Sequence, residues 1–175
     1  MAPIPATARA GDARAIVAIA ARQFGTRFST WLREHLDGIH VEHSRKTGKI
    51  RYVRAVETLL LVLRPVDGFF SLSVDGARVL ATLEREVMEN GIVVLDEVAE
   101  FIKKGKNVFA KHVVNAPMTL RPSQEVYVTD GHGTVLAVGK SVLSGRDMMH
   151  FDRGVAVKVR HGAGDADSAA NHQDA

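Results

Sequence analysis

A chain of 175 residues, 46% hydrophobic and 25% charged, is long enough for one ordinary domain or two small ones with a real apolar core. It has no cysteine, which excludes disulfides, thiolate metal sites and a cysteine nucleophile built from its own residues. The net charge of +3 is uneven: residues 1–100 carry 13 Lys and Arg against 13 Asp and Glu, residues 101–162 carry 10 against 4, and residues 163–175 carry 0 against 3. The positive excess therefore lies within 101–162, as a polyanion-binding surface requires. The longest apolar run, near Thr58 to Leu63, is far too short to cross a bilayer, and MAPIPATARA lacks the charged start and apolar core of a signal peptide. A cytoplasmic protein with no membrane partner is expected.

In chain order, residues 1–10 read as a flexible leader. Asp12 is placed to cap a helix running to about Gln23, with Ile16, Ile19 and Ala20 on one stripe. Gly25 interrupts it, and a second helical segment from Thr26 to Leu36 carries Phe28, Trp31, Leu32 and Leu36 before Asp37-Gly38 stops it. The period then changes to two. Ile39–His43 and Ile50–Arg54 flank Arg45-Lys46-Thr47-Gly48, the pattern of an antiparallel hairpin closed by a basic loop. Leu59–Leu63 and Phe69–Ser73 form the next strand pair around Arg64-Pro65-Val66-Asp67-Gly68. A helix over Ala77–Val87 presents Leu80, Leu83 and Val87 on one face, Asn90-Gly91 ends it, and Ile92–Leu95 is a strand. A short helix with an acidic first turn, Asp96 to Ile102, precedes the basic Lys103-Lys104-Gly105-Lys106.

The remainder alternates strands with turns: Glu125–Thr129, Val135–Lys140 and Val155–Arg160, with a helix-like SGRDMMHF before the last. The tail from 163 to 175 has almost no apolar side chain to offset the entropy of ordering, so disorder is expected there. The fold class is α+β, divided near Lys103 into 11–102 and 103–162.

Gly131-His132-Gly133 lies between two strands with the wrong spacing for a dinucleotide fingerprint, and Asp130-Gly131 reads as hairpin turn chemistry. His35, His40 and His43 crowd around Glu42, but alternation sends His40 and Glu42 to one face and His43 to the other, so no shared metal and no cofactor is expected. Ser71, Ser73 and Asp75 lack a neighbouring histidine to activate a nucleophile. No enzyme signature emerges. Candidate RNA contacts are Lys106, Asn107, Phe109, Lys111, His112, Arg121, Arg146, Arg153 and Lys158, because cations neutralise phosphate and exposed rings stack unpaired bases. Lys140, Arg160 and His150 belong to the same basic stretch, and neighbouring glycines would let backbone approach phosphate. Phe151, in line with Leu143 and Met148, is expected in the core.

NVFAKHVV, RPSQEVYVTD, LAVGKSVLSG and FDRGVAVKVR closely resemble the PUA domain that ends archaeal tRNA-guanine transglycosylases and archaeosine synthases. ARQFG, EHSRKTGKIRYV, DGFFSLSVDGARVL and the junction EFIKKGKNVFAK resemble the patch-forming domain before it, so the likeness runs from about Gly11 to Gly162. The resemblance implies a helix-plus-antiparallel-sheet domain followed by a PUA pseudobarrel. It implies that the second grips the acceptor stem and CCA end of tRNA while the first supports the opened D-arm, where Arg45, Lys46, Lys49 and Arg51 are the candidate contacts. His112 stands where PUA domains often have glycine, which departs from that pattern. The catalytic barrel of the family, with its aspartates and zinc cysteines, has no counterpart in these residues. The expected role is a non-catalytic, tRNA-binding accessory subunit for archaeosine modification, partnered by a separately encoded transglycosylase or archaeosine-forming enzyme. The alternatives are a free-standing PUA protein of ribosome or RNA processing and, third, a self-sufficient enzyme.

Overall fold

The computed structural model describes residues 10–164; the leader to residue 9 and the tail from 165 lie outside the described residues. Helix α1, Ala10–Glu34, buries Ile16, Ala20, Phe24, Phe28 and Leu32, a four-residue repeat that keeps one stripe against the core. Gly25 breaks its dihedrals at φ 77 and ψ 180, so the two helical segments expected from sequence are halves of one kinked rod. Asp12 lies within the first turn of this helix. Phe24 and Phe28 meet edge to face at 5.5 Å across the kink.

Strands β1 (Ile39–His43), β2 (Ile50–Ala55), β3 (Thr58–Leu63) and β4 (Phe70–Leu72) form an antiparallel sheet in that order. Val41, Val53, Leu61 and Leu72 point into the core with α1, while Leu60, set at an irregularity in the β2–β3 register, is buried as well. The Gln23 side chain extends the sheet: its amide donates to the Phe70 carbonyl at 3.0 Å and its oxygen accepts the Phe70 amide at 2.6 Å. Helix α2, Val74–Leu83, begins earlier than its apolar spacing suggests because Ser73 caps it, accepting the Gly76 amide at 2.8 Å. It also ends earlier. Glu84 turns inward to accept the amides of Glu89 and Asn90, both at 3.0 Å, and Val87, expected on the apolar face, is 53% exposed.

The second sheet contains β5 (Gly91–Val94), β6 (Val108–Phe109), β7 (Val113–Asn115), β8 (Glu125–Thr129), β9 (Val135–Ser141) and β10 (Val155–Gly162). Its order is β6-β10-β9-β8-β5-β7, antiparallel except for β5 against β8. The sequence pattern gives no sign of β6 and β7, which are two and three residues long and carry too few side chains to show alternation. They bend the sheet nearly closed around Ile92, Val126, Leu136 and Ala156. Since β5 is laid beside β8, this sheet begins at Gly91, upstream of the junction expected near Lys103. Helix α3, Ala99–Lys103, follows a single 3-10 turn at Asp96–Val98. Helix α4, Gly145–His150, is capped by Ser144, which accepts the Asp147 amide at 3.1 Å. Gly145 is required by packing: a Cβ there would stand 1.8 Å from the Pro117 carbonyl oxygen. The close approach at Gly145 is thus to protein backbone.

The two lobes share a core. Tyr127, Val135, Val138 and Ala163 of the second lobe are buried with α1, α2 and the first sheet, so order extends past Gly162 at least to Ala163. Tyr127 donates to Glu84 at 2.8 Å across this seam; burial first, then the Glu84 charge, push its hydroxyl pKa far up, so it remains the donor. Glu125 forms the second pin. Its carboxylate, 1% exposed, accepts the Leu72 amide at 2.9 Å, Arg64 at 3.3 Å and the Arg160 guanidinium. Among the described residues no helix is long and apolar enough to cross a membrane.

Candidate nucleic-acid interface

One end of the second lobe gathers most of the candidate residues. Phe109 pairs with Val155, and the Ala110 amide bonds to the Gly154 carbonyl at 2.9 Å, which brings Lys111 beside Arg153. The 3-10 turn Ala110–His112 packs against α4, so Lys111 and His112 neighbour the helix that carries Arg146 and His150. The Gly145 amide bonds to the Leu120 carbonyl at 3.0 Å, placing Arg121 at the other side of α4. Lys106, Asn107 and Lys158 lie farther along β10.

Lys106, Lys111, Arg121, Arg146, Arg153 and Lys158 are exposed, and their side chains have no partner among the described residues. Solvated, unpaired cations of this kind can meet phosphate without first breaking an ion pair. Asn107 differs: its side-chain oxygen accepts the Val159 amide at 3.0 Å and so holds the β6–β10 edge. His112 is half-buried, with its carbonyl accepting the Leu95 amide at 3.0 Å. Phe109 is 45% exposed beside these cations, as a stacking surface would be. Phe151 corrects the expectation of burial: Met148 alone of its stripe is fully enclosed, and Phe151, one residue past the end of α4, is 50% exposed.

Arg160 does not join this surface, since it donates to the Leu72 carbonyl at 2.8 Å and to Glu125 within the seam. Lys140 and Lys158 face each other across β9 and β10. Like charges directly opposite are unfavourable, and a bound anion relieves that repulsion. Lys140 also lies near Asp67, whose carboxyl is held below its usual range chiefly by its hydrogen bond with Arg64, with Lys140 contributing.

In the first lobe Arg45, Lys46, Lys49 and Arg51 are all exposed around the β1–β2 loop, where the Ser44 amide bonds to the Lys49 carbonyl at 2.8 Å. Sequence reasoning passed over Tyr52, which has the Arg51 and Arg54 guanidinium carbons 5.0 and 5.9 Å from its ring centroid; the string Arg51-Tyr52-Val53-Arg54 was the available signal. The histidines near Glu42 go separate ways. His35 stacks on Trp31 at 4.4 Å, His43 meets Asp12 at 3.1 Å, and His40 leaves Nδ1 buried without a partner among the described residues. Among the described residues no group of three His, Cys, Asp or Glu side chains could hold a metal. Asp130 accepts the amides of His132 and Thr134 at 3.0 and 2.8 Å, making the glycine-containing loop a hairpin turn.

The arrangement defines a class: a two-lobed α+β protein whose nearly closed mixed sheet carries an unpaired basic rim. Residues 14–85 match the patch-forming domain C2 of tRNA-guanine transglycosylase, and residues 90–163 match the PUA domain. The chain belongs to these two domain families over those stretches. It is 40% identical over 150 residues to the tRNA-guanine(15) transglycosylase of Thermococcus onnurineus, a match covering 84% of this chain and 24% of that relative. The corresponding protein of Methanothermobacter thermautotrophicus is 35% identical over 126 residues, covering 72% of this chain and 19% of that relative. The chain thus spans about a quarter of the length of the first of these relatives. A hypothetical protein of Pyrococcus horikoshii shares the fold with a TM-score of 0.71 and 23% identity, covering 91% of this chain and 95% of that one. So does a PUA-domain protein of Aeropyrum pernix, with a TM-score of 0.65 and 14% identity, covering 93% of this chain and 88% of that one.

Proposed function

We propose that this chain binds tRNA and serves as a non-catalytic accessory subunit for archaeosine formation, with base exchange performed by a separate transglycosylase or archaeosine-forming enzyme. The observation that carries the reading is the set of unpaired cations around Phe109 in a PUA domain, fused by a shared core to a transglycosylase C2 domain. Phosphate contacts from Lys111, Arg146 and Arg153 hold the acceptor end, and Phe109 offers a face to an unpaired base of the CCA terminus. The basic loop at Arg45, Lys46, Lys49 and Arg51 reaches the D-arm. Because Glu84–Tyr127 and Glu125–Arg64 pin the lobes together, the two contacts keep a fixed separation.

Lys111→Ala and Arg153→Ala are each expected to weaken tRNA binding by about 1 kcal/mol or more at unchanged melting temperature, since charge-assisted phosphate bonds are lost and nothing buried changes. Removing CCA from the tRNA should weaken the wild-type complex and have less effect on the Lys111 variant. Equal affinity for trimmed and intact tRNA would reject the acceptor-end assignment. For the accessory role, the purified chain should join or stimulate a transglycosylase on tRNA; neither association nor stimulation would reject it.

A further inference from the structure

At the end of the first sheet where the 44–49 and 64–68 turns meet, β2 and β3 border a cavity of about 420 Å³. Its floor is apolar, formed by Ile50, Val62, Leu63 and Pro65. Its rim is cationic, formed by Lys49, Arg51 and Arg64, with the hydroxyls of Ser44 and Thr47 between them. Among the described residues no carboxylate lines it. Tyr52 forms one wall, half-buried, and its ring is steadied by Arg54, which is itself fixed to Glu42 at 2.6 Å. The volume falls in the range of about 300–1,000 Å³ typical of small-ligand sites.

We propose that this cavity takes one unpaired nucleotide of a bound RNA strand, its base against Tyr52 and its phosphate at Lys49 and Arg51. An apolar floor beside an aromatic wall suits a flat, weakly hydrated base, and a rim of cations without carboxylates suits the phosphate attached to it. Arg51 lies over the ring and is exposed. A base lying on Tyr52 takes its place, and the guanidinium swings to the phosphate. The neighbouring cations give the reason for a strand over a free nucleotide. Arg64 borders the cavity but is held by Asp67 at 2.8 Å and by Glu125 at 3.3 Å, whereas Lys49 and Arg51 continue into Arg45 and Lys46 of the same exposed loop, all four without a carboxylate partner among the described residues. A polyanionic chain can follow that run of positive groups.

The inference rests on the reading of the chain as a tRNA binder, and the test separates the two. Binding of the full chain to intact tRNA and to a blunt-ended RNA duplex is compared for wild type, Tyr52→Phe, Tyr52→Leu and Tyr52→Ala, with thermal unfolding of each. Tyr52→Leu keeps apolar volume but lacks the aromatic face. Tyr52→Leu and Tyr52→Ala should lose about tenfold in affinity for tRNA, the scale of one base stack, with pairing-only RNA unaffected, while Tyr52→Phe binds as wild type does. Wild-type affinity in Tyr52→Leu overturns the nucleotide site, even if that variant loses a protein partner instead. So does an equal loss for tRNA and the blunt-ended duplex, which marks a general lesion. A nucleoside monophosphate bound as tightly as tRNA would replace the strand with a free ligand. Wild-type protein that binds no tRNA defeats both this inference and the function proposed above, whereas tRNA binding indifferent to Tyr52 defeats this inference alone.

Discussion

Glu125→Ala is expected to lower stability by about 3 kcal/mol, near the lower end of what removing one member of a buried ion pair costs. The Glu125 carboxylate is 1% exposed and joins two lobes through Leu72, Arg64 and Arg160. Without it, the Leu72 amide loses its partner and two guanidinium groups are left facing each other at the seam. The arginine side chains are 21% and 29% exposed, so water recovers part of their solvation, which is why the lower figure applies. Against a total of about 5–15 kcal/mol for a domain, that loss is large. Urea unfolding would measure it, and a change below about 1 kcal/mol would show that the seam is held by its apolar contacts alone. Glu125→Gln, which retains an acceptor for the amide, should cost less. Arg64→Ala and Arg160→Ala share the same partner, so their effects should not add.

The second large effect is on affinity. If Lys106, Lys111, Arg121, Arg146, Arg153 and Lys158 each neutralise one phosphate, tRNA affinity should fall about a thousandfold between roughly 50 and 200 mM monovalent salt, through loss of counterion release. Each alanine replacement in this set should lower the slope of log affinity against log salt by about one. Arg160→Ala supplies the contrast. Its guanidinium is engaged with Glu125 and Leu72, so the variant should lose stability while keeping the salt slope. Filter binding across a salt series checks both, and a slope near zero for the wild-type chain would remove phosphate contact as the basis of binding.

Much of the architecture was legible where a pattern repeats locally. Alternation at Ile39–His43 and Glu125–Thr129 gave strands at those bounds, and Gly25 marked the kink because few other residues accept its dihedrals. Asp130-Gly131 announced a hairpin for the same reason. The pattern failed where few residues carry it or where distant side chains intervene. Strands β6 and β7 are too short to alternate, and α2 stops at Leu83 because Glu84 is drawn to Asn90 and Tyr127. Phe151 has core-like spacing but lies past the end of α4, where the chain has left the helical repeat.

Charge shows the same division. Counting along the chain located the positive excess in 101–162, because composition does not depend on folding. Which of those cations remain available depends on what the chain brings near them. Arg160 and Lys158 are two positions apart on β10, yet Arg160 meets Glu125 and Leu72 of the seam while Lys158 stays exposed opposite Lys140. The resemblance of the motifs was carried by local strings and held over both lobes. The lock between the lobes, Glu125 with Arg64 and Glu84 with Tyr127, and the cavity beside Tyr52 join residues far apart in sequence. Only three-dimensional packing sets those distances, since an ion pair or a pocket wall is chosen by proximity in space, which no local pattern encodes.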